Sequence, residues 1–375
     1  DGLCGQLQPA VLRKHNLGLR FPQAQIIRPA LGQTQQDDPA PALIADAYSA
    51  GAHRFFKAVK AYSALSGLYA LPRRIGVGGK DIRPYHIYQV FENMKADTPK
   101  DHFTVGIIDD MYDSNLPAVE DLTIDHTGTT ACKFWGLGSD GTVGANKSAV
   151  KIIGDNTDKY AQAYFAYDSK KSGGVTISHL RFGKKPIKST YFVNKADFVA
   201  CHAPTYVKKY DLTEDLKDGG TFLLNCPWPV EELESQLPAK MKRDLARKHA
   251  RFYIIDAAKL AGEIGLGKHT NNILQGAFFA LTKVIPMDVA VEDMKKNNYA
   301  TYFKKAGQKI VDMNDKAVDV GVHAAVKVDV PASWADAQDA PAPQVEATPF
   351  VKEIVMPMDR QQGDKLPVSV FQKHG

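Results

Sequence analysis

The chain has 375 residues, 44% of them hydrophobic, with 47 basic side chains against 42 acidic ones for a net charge of +5. At about 150 residues per domain this length holds one large core or two to three ordinary ones, and charges this evenly mixed give no single-sign field of the kind that holds nucleic acid. No run of about 18 apolar residues occurs, and Asp1 opens the chain without a charged-then-apolar leader, so a soluble, cytoplasmic protein that neither spans nor crosses a membrane is expected.

Residues 1–75 give no assignable pattern: loop text around Gln33 to Pro41 is followed by an alanine-rich helical stretch from Ala42 to Ala70. From Gly76 the text sharpens. Tyr85 to Met94 spaces its apolar residues as an amphipathic helix does, and His102 to Ile107 is a short strand. Residues 109–128 are acidic, polar and contain Pro117, the composition of a connection between domains. Strands and helices then alternate. CKFWGLG is followed by a helix from Asn146, then by strands at 161–168, 174–182 and 196–202; a helix is expected through Tyr206 to Leu216, then strands at 220–226 and 251–256. That alternation predicts an α/β fold with a mostly parallel sheet, helices on both faces and ligands at the strand ends. A helical tail runs from Thr270 to about Val326, and PASWADAQDAPAPQVEATPF has the Pro and Ala content of a linker.

The four cysteines, Cys4, Cys132, Cys201 and Cys226, lie far apart with no C-x-x-C pair. Buried free thiols in a reducing compartment are expected, with no local zinc or iron–sulfur site.

The chemistry is concentrated at residues 130–153. Gly136, Gly138 and Gly141 form G-x-G-x-x-G between a strand and a helix, with Gly144, Asn146, Lys147 and Ser148 next. Glycine permits positive φ in a tight turn and lets backbone N–H groups approach an anion at the positive end of a helix dipole. Gly136, Gly138, Ser139, Gly141, Thr142 and Gly144 would shape the loop, and Asn146 and Lys147 would hold phosphate. A loop that serves only packing is the alternative. Asp168 comes late for a ribose-binding acid, and the turn that follows carries Lys170, Lys171 and Ser172, which suit a second phosphate. NADP and coenzyme A both fit, and residue types alone do not separate them. A P-loop is excluded because Asn146 stands where that loop requires Gly.

Other candidates are weaker. Arg181 is an anion ligand or a surface ion pair, and Asn225 ends a strand where ligands sit. His179 is a structural strand histidine. The basic run Lys240, Lys242, Arg243, Arg247 and Lys248 is a solvated face, with docking of an acidic redox partner as the alternative.

Phe134 to Asp158 and Gln162 to Tyr191, with HFTVGI, ADFVACHAPTYV, GGTFLLNCPW and the final LPVSVF, resemble the pyruvate:ferredoxin (flavodoxin) oxidoreductase family over about Gly76 to Phe371. The resemblance implies oxidation of pyruvate with coenzyme A to acetyl-coenzyme A and carbon dioxide, with electrons passed through 4Fe–4S clusters to ferredoxin or flavodoxin. Thiamine diphosphate would carry the carbon chemistry in a homodimeric enzyme. Residues 126–330 would then be the gamma-type domain associated with coenzyme A, 76–125 the end of a preceding α/β domain, and 331–375 a linker to a ferredoxin-like domain. The thiamine and cluster domains are not encoded, so the chain would be a fragment without catalytic or metal-ligating residues of its own. The rival functions are an NADP-dependent dehydrogenase domain and an assembly module that binds nothing.

Overall fold

A computed structural model describes residues 82–119, 127–168, 173–339 and 346–374, together with two short strands, β1 (Ala24–Ile27) and β2 (Pro72–Ile75). The remainder of the segment 1–75, and the turn bearing Lys170, Lys171 and Ser172, lie outside the described residues. Helix α1 (Pro84–Lys95) and strand β3 (Phe103–Val105) fall where the sequence places them. They bury a small cluster of their own, formed by Val90, Met94, Phe103, Val105 and Leu116.

The main sheet uses β1, β4 (Thr130–Leu137), β5 (Tyr160–Tyr167), β6 (Val175–Gly183), β7 (Ala196–Cys201), β8 (Leu216–Asn225), β9 (Arg251–Ile255) and β10 (Val326–Val328). Its order is β1-β5-β6-β4-β7-β8-β9-β10. β4, β7, β8 and β9 are parallel neighbours, whereas β6 is antiparallel to both β4 and β5, and β10 is antiparallel to β9. Because β6 returns between them, β4 and β5 point the same way without touching. The fold is α/β, with a parallel centre and antiparallel flanks.

Side chains alternate across the strands, so each face builds its own core. Cys132, Phe134, Phe198 and Ala200 pack on one side, under helices α2 (Thr142–Asn156), α4 (Ala257–Ile264), α5 (Asn271–Thr282), α6 (Met287–Ala306) and α7 (Gln308–His323). Ala131, Trp135, Val199 and Cys201 pack on the other, against Tyr206, Tyr210, Trp334 and helix α3 (Ala239–Arg247). Helices α5 and α7 cross where Gly276 meets Gly321. A Cβ on Gly321 would run into the backbone of Ile273. Cys132, Cys201 and Cys226 are buried free thiols. Among the described residues no helix is long and apolar enough to cross a membrane.

Three expectations need correction. The helix after the glycine turn starts at Thr142, not Asn146, because Gly141 takes the left-handed conformation at φ 89° and the Asp140 carboxylate accepts the Thr142 N–H at 2.7 Å. No helix runs through Tyr206 to Leu216. Pro204 starts a 3-10 turn that ends at Lys208, the Lys248 ammonium takes the carbonyls of Thr213 and Glu214, and Leu216 already begins β8. The residues after Pro331 are not a bare linker: Trp334 is buried within a 3-10 turn, Ala332–Asp336, against α3.

Candidate functional site

The C-terminal ends of β4, β7, β8 and β9 share one edge of the sheet, and helices α2 and α4 begin there. The glycine turn links β4 to α2. It is tied to the β5–β6 connection, since Gly138 N–H donates to Gly174 O at 2.7 Å and Gly173 N–H to Gly138 O at 3.3 Å. Gly136 lies against Thr142, whose atoms would stand 2.7 Å from a Cβ, and a Cβ on Gly141 would strike the Asn271 amide at the start of α5. Ser139 has φ 75°, a left-handed conformation that costs a non-glycine residue about 1 kcal/mol or more.

Asp140 fills the floor of this turn. Its carboxylate accepts from Leu137 N at 2.8 Å, from Thr142 N, and from the Thr142 hydroxyl at 2.9 Å. The Thr142 oxygen has spent its proton on Asp140, so it accepts from His202 Nδ1 at 2.8 Å. That leaves the lone pair of the neutral imidazole on Nε2. Burial holds the His202 pKa below its ordinary 6.5, against a smaller opposing pull from Asp140. Asn225 Nδ2 donates to His202 O at 2.8 Å, and Asn225 Oδ1 accepts from Ala257 N at 3.0 Å. The Tyr206 hydroxyl donates to Gly136 O at 3.2 Å.

Among the described residues, the amides of Ser139, Gly141, Val143 and Gly144 have no hydrogen-bond partner. Nor does Asn146 Nδ2, although the side chain is 4% exposed. A Cβ on Gly144 would meet nothing within 4 Å. The turn thus presents an outer rim of hydrogen-bond donors above a floor already occupied by a carboxylate.

Thr142, Asn146, His202 and Asn225 therefore gather near the turn, while other candidates stand apart. The Lys147 ammonium sits 5.4 Å from the centroid of the Phe165 ring. Arg181 is paired in register with Ala131, whereas Gly136 is paired with Thr176, which puts Arg181 about 17 Å down the strand from the turn. It is 1% exposed and donates to Gln162 Oε1 and to the carbonyls of Tyr191 and Phe192, so it braces the core at the far end of the sheet. His179 is buried, accepts from Val193 N at 3.1 Å and stacks on Phe192. The basic helix is not a free solvated face. Lys240 pairs with Asp211 and Asp244, Lys242 with Glu234 and Arg243 with Asp339, while Lys248 donates to the carbonyls of Thr213 and Glu214.

Sequence reading missed Asp140 and His202. Asp-Gly-Thr before a helix is the available signal for the first, because a short acid there satisfies the orphan amides. For the second, the signal is its place just past the end of a parallel strand.

Residues 131–324 match the family model described as pyruvate ferredoxin/flavodoxin oxidoreductase. The chain belongs to this oxidoreductase family. Residues 336–375 match a second model, described only as a domain of unknown function. Among the family's curated members, a pyruvate-flavodoxin oxidoreductase of Enterobacter agglomerans is 55% identical over 80% of this chain and 25% of its own length. A pyruvate:ferredoxin oxidoreductase of Moorella thermoacetica is 53% identical over 80% of this chain and 26% of its own. The chain thus spans about a quarter of the length of these relatives. A crystal structure of a pyruvate oxidoreductase subunit from Thermotoga maritima covers 54% of this chain and 100% of its own, at 18% identity and a TM-score of 0.44.

Proposed function

We propose that this chain is the segment of a pyruvate:ferredoxin or pyruvate:flavodoxin oxidoreductase that binds and positions coenzyme A. The net reaction of the whole enzyme is pyruvate plus coenzyme A giving acetyl-coenzyme A, carbon dioxide, one proton and two electrons. Relatives named for flavodoxin and for ferredoxin are each more than half identical to this chain over the matched residues, which suits a role in the shared acyl-transfer step and not in the choice of electron carrier. Thiamine diphosphate supplies the carbon chemistry when bound. That cofactor and the 4Fe–4S clusters would be held by the rest of the polypeptide, since this chain spans about a quarter of the length of its relatives. Ferredoxin or flavodoxin, the remaining domains and a second copy of the enzyme are the partners this reading implies.

The observation that carries the proposal is the rim of unpartnered amides at Ser139, Gly141, Val143 and Gly144, with open space at Gly144. A pyrophosphate seated there gains several backbone donors and the positive end of α2. Asp140 excludes it from the floor, so contact is confined to the outer amides. The segment's own side chains break no bond. Its contribution is to place the thiol beside the carbon it attacks, which lowers the entropic part of the barrier.

Calorimetry with coenzyme A, dephospho-coenzyme A and NADP tests this reading. Coenzyme A is expected to bind most tightly, and Gly144→Val, whose Cβ would meet nothing within 4 Å, to weaken it at least tenfold. Tighter binding of NADP, or no binding of coenzyme A, would overturn it.

A further inference from the structure

Residues 346–374 are an unusual kind of segment: Ile354 is their only buried core residue, yet they reach several distant parts of the chain. Upstream, the 336–339 stretch is fixed on α3, where Arg243 holds Asp339 at 2.8 Å and the Ala337 carbonyl. Beyond it, Asp359 accepts from Lys209 at 3.0 Å and Lys365 donates to Glu214 at 2.8 Å. The chain then pairs with the first unit. Pro367 forms a parallel bridge with Ile108, Val368 N–H donates to Ile108 O at 2.9 Å, and Ser369 N–H and Oγ donate to the Asp110 carboxylate, the former at 2.9 Å. Lys373 and His374 close the segment on itself through Glu353.

The two groups of contacts connect parts that bury separate cores. Residues 82–119 carry the cluster of Val90, Met94, Phe103, Val105 and Leu116, distinct from the two cores of the main sheet. Lys209 and Glu214 belong to the segment after β7. That segment also holds Tyr206, bonded to Gly136 O, and Tyr210, stacked on Trp135 with centroids 5.4 Å apart.

We propose that residues 346–374 form a strap that holds the unit of residues 82–119 against the loop supporting the glycine turn. Each exposed ion pair is weak by itself. Several on one short segment, together with backbone hydrogen bonds, act as linked ties, each raising the effective concentration of the next. The strap thereby fixes where the preceding domain stands relative to the rim of amides, and this role does not depend on which ligand the rim takes.

The test is the distribution of distances between spin labels at Tyr112→Cys on the first unit and Glu263→Cys on α4, in the full chain with Cys4→Ser. One narrow peak is expected. Combining Val368→Pro, Ser369→Ala, Lys209→Glu and Lys365→Glu should at least double its width. Against Lys209→Glu and Lys365→Glu alone, adding Asp359→Lys and Glu214→Lys should restore the narrow peak, which separates loss of the ties from misfolding. A second measurement uses a protease site inserted between Asp339 and Glu346, so that the strap is cut after folding and washed away. An unchanged narrow peak after removal of the strap, or a broad distribution in the unaltered chain, would overturn the proposal.

Discussion

Asp140 supplies from within the chain what a glycine turn commonly takes from a ligand, a carboxylate seated on the amides of Leu137 and Thr142. Its second task is electrostatic order, since the bond from Thr142 to Asp140 fixes which nitrogen of His202 carries the proton. Burial depresses the pKa values of His202 and of His179, where Lys133 and Arg181 also oppose a further positive charge. Both are neutral when folded and bind protons more readily when unfolded, so the unfolded state takes up protons first as the solution is acidified. Their contribution to stability is full above the ordinary value of 6.5 and declines as the pH falls from there toward the depressed folded values. Urea unfolding midpoints measured from pH 7.5 down to 5 should fall, and His202→Gln should remove part of that slope. A midpoint independent of pH would show that neither ring is held neutral.

At the scale of elements, the crossing of α5 and α7 is the least forgiving contact. Gly321→Ala places a methyl group into the main chain of Ile273, an atom that no rotamer change moves away. The expected loss is about 3 kcal/mol or more, with the helices forced apart. Chemical denaturation would measure it; a loss below about 1 kcal/mol would mean the crossing relaxes easily. The sequence announced these helices as one tail without disclosing that two glycines let them touch, because a close approach is a property of pairs of segments. The strands were legible for the opposite reason: ADFVAC and TFLLN are short apolar runs buried on both faces, a signal carried by the run itself. The expected helix over 206–216 failed because aromatic and aliphatic residues there pack inward from an irregular backbone. At the site, the glycines marked the turn correctly as a turn. Arg181 misled, since one strand position shows residue type but not which end of the sheet it occupies.

Taken whole, the described residues combine an eight-stranded α/β sheet with a small separate core and a strap. The chain spans about a quarter of the length of the curated relatives it matches. Coenzyme A binding and turnover should therefore come apart. The isolated chain is expected to bind coenzyme A while oxidising no pyruvate, as followed by acetyl-coenzyme A formation with ferredoxin or flavodoxin supplied. Measurable turnover would show that the catalytic groups lie within these residues.

Trp135 stands one position before Gly136, flat against Tyr210 and beneath the Lys133 ammonium 4.7 Å from its ring. An indole held between a phenol and a cation has an emission colour and intensity that respond to small displacements of either neighbour. The chain therefore carries its own optical gauge beside the glycine turn, readable against Trp228 and Trp334 without attaching any dye.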